Sequence, residues 1–393
     1  MKYLFDHWRN RLFGPEGVLA FSTGATSSRL LPVDALRGFI IVAMALDHAN
    51  SLIAHGKLEP EMWANVFPNY RGDALAFLTR LVTHPAAPGF FFLLGVGMML
   101  FAKSRRQQGW GKGRIIRHFV ARAALLALLQ FLVENPVWKM GQPPDSTMFF
   151  FVLYGLGGTM FLGTLLLYLP TLLLVGLSAL LIVLTGLLLP EARTGFVEYA
   201  PLLRLWLLPG YTRGMFAMYP FMPWLGVVGL GIAYGRWLKR DQEQSYRAAL
   251  WLGVAGLLLF VPIRLLNGFG NIRPRQGDDW IGFLNVVKYP PSVVFLLLTL
   301  GVDMLFLGLF ARVESVVKAI LRPLAVFGRT PLFFYLTHLY LYAYMGQWLD
   351  PKGIGIRRMY PYWLLGLAIL FPLCWLYGRF KNSRSPESLW RFL

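Results

Sequence analysis

The chain is 393 residues long, 56% hydrophobic and only 15% charged, a balance that excludes an ordinary soluble enzyme of this size. Its formal charge of +19 would suit nucleic acid, but Lys and Arg on the loops of a membrane protein orient its spans, so no nucleic-acid partner is expected. The single cysteine, Cys374, excludes an intrachain disulfide and a cysteine metal cluster.

Several apolar runs reach the roughly 20 residues that cross about 30 Å of hydrocarbon. They predict an all-α, polytopic membrane protein of about ten transmembrane helices with both termini cytoplasmic. Residues 1–31 are polar, lack the apolar core and cleavage site of a signal peptide, and read as a cytoplasmic tail. Residues 32–381 read as one transmembrane domain, and 382–393 as a second cytoplasmic tail.

The first span, about 33–54, opens on Pro32 and Asp34, residues that suit a helix start. Arg37 and His48 lie eleven residues apart in it, which puts them on one face about 16 Å apart along the axis. With Asp34 and Asp47 the span carries four ionisable side chains. Charged groups at a span centre cost roughly 2.5–3.5 kcal/mol each, so they face the bundle interior and point to function. The second span, about 75–102, contains Pro85 and Pro88, which predict an unwound stretch over 83–89 and a candidate site wall. The remaining spans are placed at about 114–133, 147–168, 171–189, 218–237, 248–266, 291–310, 331–349 and 361–380.

Gly226, Gly229, Gly231 and Gly235 run along the sixth span and suit close helix packing better than a phosphate loop. The inner segments carry roughly twice the Lys and Arg density of the outer ones, which places Arg37 near the inner surface and His48 toward the outer half. Zinc-binding spacings and a Gly-x-Ser-x-Gly elbow are absent, and no metal is expected.

Five blocks, VDALRGFIIVAMALDH (33–48), LTRLVTHPAAPGFFFLLGVG (78–97), MYPFMPWLGVVGLGIAYG (218–235), FLNVVKYPPSVVFLLLTLG (283–301) and FGRTPLFFYLTHLYL (327–341), resemble the bacterial branch of the heparan-alpha-glucosaminide N-acetyltransferase family, within the wider transmembrane acyltransferases. Arg37, ten residues and then His48 is also similar to the hallmark of bacterial sugar O-acyltransferases. The resemblance implies acyl transfer, with acetyl as the expected group, from cytoplasmic acyl-coenzyme A to an amine or hydroxyl of a sugar or glycan on the far side of the bacterial inner membrane. Acyl-coenzyme A and a glycan acceptor are then the partners, the bilayer is the setting, and oligomerisation is left open. The lysosomal branch carries its catalytic His in the loop after the first span, where this chain has His55 and Glu59. The histidine within the span puts the role on His48 and leaves amine against hydroxyl undecided.

His48 is the expected general base, with Asp47 as its catalytic neighbour. Asp47 points about 100° away on the helix and is expected to pair with Arg80 or Arg122. Arg37 is expected to hold a coenzyme A phosphate; an ion pair with Asp34 is the alternative. Arg80, His84 and Arg122 are further candidates on the donor side. Trp224, Lys288, Tyr289 and His338 are candidates for holding the acceptor. Asp303, in mid-span, requires a partner or a water. A transporter or channel with a polar-lined path and no acyl chemistry is the competing function.

Overall fold

The computed structural model describes residues 30–55, 60–70, 72–140, 146–191, 197–312 and 315–384, and nearly all of its regular structure is helical. Among the described residues six helices are long and apolar enough to cross a membrane: Ala74–Gln107, Lys112–Trp138, Thr171–Leu188, Gln242–Leu266, Val293–Arg312 and Ile356–Ser383. Leu172, Leu187, Trp251, Leu258 and Leu266 point outward from them, an arrangement that lipid tolerates and water does not. The chain is a multi-pass membrane protein.

Helix α1 (Leu31–Leu52) is the hub of the bundle. It packs against α2 (Ala74–Thr83), α3 (Ala86–Gln107), α12 (Val293–Arg312), α13 (Ser315–Arg329), α14 (Pro331–Leu349) and α15 (Ile356–Ser383). Leu36, Ile40, Ile41, Ala45 and Ala49 are wholly buried on it. The approach to α13 is backbone to backbone. A Cβ at Gly38 would overlap the Leu324 carbonyl oxygen, and one at Gly328 would overlap that of Asp34, so this crossing needs glycine on both helices.

Between α3 and α12 the chain adds α4 (Lys112–Leu129), the π-helical turn Gln130–Glu134, α5 (Asn135–Trp138), α6 (Val152–Leu166), α7 (Thr171–Leu188), α8 (Pro201–Trp206), α9 (Phe221–Arg240), α10 (Gln242–Leu266) and α11 (Trp280–Leu284). Gly231 of α9 lies against the Phe92 carbonyl of α3, and Gly226 and Gly229 lie against Ser178 of α7. The glycine run of the sixth predicted span is therefore a packing surface.

Three features differ from the sequence reading. The helices are joined by a small sheet of order β1–β3–β2, in which β1 (Met148–Phe150) runs parallel and β2 (Gly210–Thr212) antiparallel to β3 (Met215–Ala217). Asn135 builds its edge, accepting from the Phe149 amide at 2.8 Å and donating to the Phe149 carbonyl at 2.9 Å. The second span is interrupted only at His84–Pro85, because the Gly89 amide already bonds the Pro85 carbonyl at 2.9 Å. Finally, α13 was expected as a loop; its Pro323 and its Arg and Lys residues hid a helix that lies along α1. Asp303 is fully buried, and neither carboxylate oxygen has a hydrogen-bond partner among the described residues.

Candidate active site

Two cavities open on the two ends of α1, named outer at the His48 end and inner at the Arg37 end after the orientation expected from the loop charges. The outer one, of about 400 Å³, is lined by Asp47, His48, Arg80, Glu134, Tyr289 and Tyr335 among others. The inner one, of about 350 Å³, is mostly apolar, with Arg37, Arg122, Arg329 and Lys381 on its walls. Val152 and Tyr335 line both, so a single layer of side chains separates them.

The first span brings His48 to the outer cavity, and α14 brings His338 against it. His338 is fully buried and its Nδ1 meets the Phe334 carbonyl at 2.9 Å. A carbonyl only accepts, so that nitrogen carries the proton and the neutral ring presents an acceptor at Nε2. His48 Nδ1 lies 2.7 Å from His338 Nε2 and is the donor of that bond. His48 Nε2 is then left with a lone pair and accepts no bond among the described residues. The two rings stack at 5.0 Å, and Trp138 and Tyr335 close the sides at 5.4 and 6.1 Å. This chain of bonds leaves one imidazole nitrogen able to accept a proton at the cavity wall.

Asp47 pairs with Arg80, one of its two expected partners, at 2.5 Å from Nη1. The same guanidinium holds Glu61 through Nε at 2.8 Å and Nη2 at 2.6 Å. Tyr70 donates to Glu61 at 3.0 Å, and His84 Nε2 lies 3.5 Å away. The Glu61 backbone carbonyl accepts from the Lys288 and Tyr289 amides at 2.9 and 3.0 Å. Burial alone would raise the Glu61 carboxyl, but the Arg80 guanidinium, aided by His84, holds it well below the usual carboxylate range. The loop after the first span is thereby tied to α1, α2 and the segment before α12.

The structure redistributes the predicted site residues. His48, Asp47, Arg80 and Tyr289 share the outer cavity, while Arg37 and Arg122 share the inner one. Arg80 and His84 were expected on the donor side; instead they sit at the outer end, Arg80 bonded to Glu61 and His84 3.5 Å from it, and His84 lines neither cavity. Trp224 was expected to stack on a sugar. It is fully buried against Phe91, with rings 4.5 Å apart, because Pro223 turns it into the core of α9 and α3. Lys288 lies behind Tyr289, its ammonium 5.2 Å from that ring. His338 supports His48 instead of lining the cavity. Arg37 makes the alternative ion pair with Asp34 at 3.1 Å and also donates to the Gly328 carbonyl at 3.0 Å, while it lines the inner cavity. His55 is exposed with φ +50°, and Glu59 lies outside the described residues.

Sequence reasoning missed Glu61, Glu134, Tyr335, Arg329 and Lys381. Glu134 stood at the edge of a predicted span, where an acid passes as a boundary, and Glu61 stood in a loop. No group of three His, Cys, Asp or Glu side chains suited to a metal occurs among the described residues.

A comparison with curated proteins gives no match. The family model described as heparan-alpha-glucosaminide N-acetyltransferase, catalytic, matches residues 29–261, more than half of the chain and including His48, Asp47, Arg80 and Glu134. The chain belongs to the heparan-alpha-glucosaminide N-acetyltransferase family.

Proposed function

We propose that this membrane acetyltransferase moves an acetyl group from cytoplasmic acetyl-coenzyme A to an amine or hydroxyl of a sugar or glycan on the opposite side, in the bacterial inner membrane. The observation that carries this reading is the pair of cavities that share Val152 and Tyr335 in their walls. A thioester arm threaded past those side chains would meet His48.

The inner cavity fits the donor in chemistry. Its apolar walls suit a pantetheine arm. Arg37, Arg122, Arg329 and Lys381 bring four cations to its walls, and Asp34 lies 3.3 Å from Arg329 and is bonded to Arg37. Guanidinium and ammonium groups gathered around one cavity suit phosphates. In the outer cavity His48 Nε2 takes the proton of the acceptor nitrogen or oxygen as that atom bonds the thioester carbonyl carbon. The carbon–sulfur bond breaks and the thiolate leaves toward the inner cavity. His338 keeps the imidazole in the tautomer the step requires, and the Asp47–Arg80–Glu61 network fixes the helix that carries it.

About ten spans with both termini cytoplasmic belong to this reading and are supported by the charge of the loops. The test is release of free coenzyme A thiol from acetyl-coenzyme A by purified protein with a panel of amino sugars and glycan hydroxyls. Acceptor-dependent release should fall by about 10²-fold or more in His48→Ala, the usual worth of a general base, while the variant stays folded. Full activity in that variant would remove His48 from the mechanism.

A further inference from the structure

The outer cavity contains a carboxylate with no part in the mechanism above. Glu134 ends the π-helical turn Gln130–Glu134, an irregularity that re-aims side chains and recurs at functional sites. Its side chain is 1% exposed and lines the cavity with His48. Oε1 accepts from Tyr335 Oη at 2.8 Å and from Trp138 Nε1 at 3.3 Å. Among the described residues Oε2 has no hydrogen-bond partner. Gln130 and the Leu153 backbone are neighbours of the carboxyl, yet neither donates to Oε2.

The other acids of this end are matched, since Asp47 and Glu61 share Arg80. No ion pair reaches Glu134 among the described residues. Trp138 and Tyr335 bond Glu134 and also flank the His48 ring, so one small ligand can touch both groups.

We propose that Glu134 is the specificity-determining residue for the acceptor, its free oxygen receiving an N–H of a protonated amino group placed beside His48. The proposal rests on the acyl-transfer reading of this cavity. A buried carboxylate lacking a counter-charge is costly, and an ammonium brings both a charge and a donor; a hydroxyl brings only the donor. An ammonium has no lone pair, so it must lose a proton before it attacks. Glu134 takes that first proton, giving a neutral amine and a neutral carboxyl. His48 Nε2 takes the second as the nitrogen–carbon bond forms and the thioester carbon–sulfur bond breaks.

The test is calorimetric binding of glucosamine and of glucose to the purified full chain, with no donor present. Glu134→Gln keeps an acceptor for Tyr335 and Trp138 and puts an NH₂ at the free position; Glu134→Asp keeps the charge on a shorter arm. The wild type should bind glucosamine at least about tenfold tighter than glucose, the order expected for a charged hydrogen bond. Gln should abolish the difference and Asp should keep part of it. No glucosamine binding, no preference in the wild type, or a preference that survives Gln would each overturn the proposal. The thiol-release assay judges acyl transfer separately: amine-selective binding without turnover sinks that reading alone, and turnover without amine selectivity sinks this one alone.

Discussion

The chemistry proposed at residue scale turns on which nitrogen of His48 is bare. His338 bonds a main-chain carbonyl four residues back, and that one contact sets the protonation of both rings. Removing it should leave His48 in place with its tautomer unset. His338→Ala should therefore lower kcat by roughly ten- to a hundredfold, less than the roughly 10²–10⁴-fold worth of the base itself, with KM for the donor unchanged. His338→Asn, which can again offer an acceptor, should recover part of the loss. Steady-state kinetics over a donor series checks this; an unchanged kcat in the Ala variant would reduce His338 to a packing residue. His48 stood out in the sequence because an ionisable residue in an apolar helix has few bland explanations, and the structure places it on a cavity wall. Its partner was legible only as an intramembrane histidine, since 290 residues separate the two rings.

At the scale of elements, the loop after the first span is anchored by one acid. Glu61 binds Arg80 of α2, which also holds Asp47 of α1, and its carbonyl takes the amides of the chain before α12. Its folded pKa lies below the ordinary value of 4.5. The pairing therefore contributes stability that is fully present above that value and is lost as pH falls toward the lowered one. Thermal unfolding in detergent should give a midpoint that holds from neutral pH to about 5 and then drops. Glu61→Gln should be less stable at pH 7 by about 3–5 kcal/mol, the usual cost of breaking a buried pair, and flatter on the acid side. A variant as stable as the wild type would show that the network does not hold the loop. This tie was hidden because a loop glutamate carries no periodic signal. Trp224 misled for the opposite reason: an aromatic beside proline looks like a binding platform until the helix packing of Phe91 is known. The amphipathic α13 was hidden too, since its charges made it read as a loop.

At the scale of the whole molecule, α1 connects two cavities of different chemistry. Each predicted span has a helix in the structure, because apolar length and proline position are local properties of the chain. The cavities are not local. Each collects side chains from several helices far apart in sequence, Lys381 and Arg37 in one and Glu134 and His48 in the other. The first span could be picked out as central from its charges, but only the packing shows that six other helices touch it.

The most direct measurement of the central claim uses sealed proteoliposomes of fixed orientation, with labelled acetyl-coenzyme A outside, on the Arg37 side, and an acceptor sugar trapped inside. The account predicts acetyl label on the trapped sugar and free thiol outside in equal amounts, both lost with His48→Ala. Label appearing only on acceptor supplied from the donor side, or sugar movement with no thiol released, would contradict it.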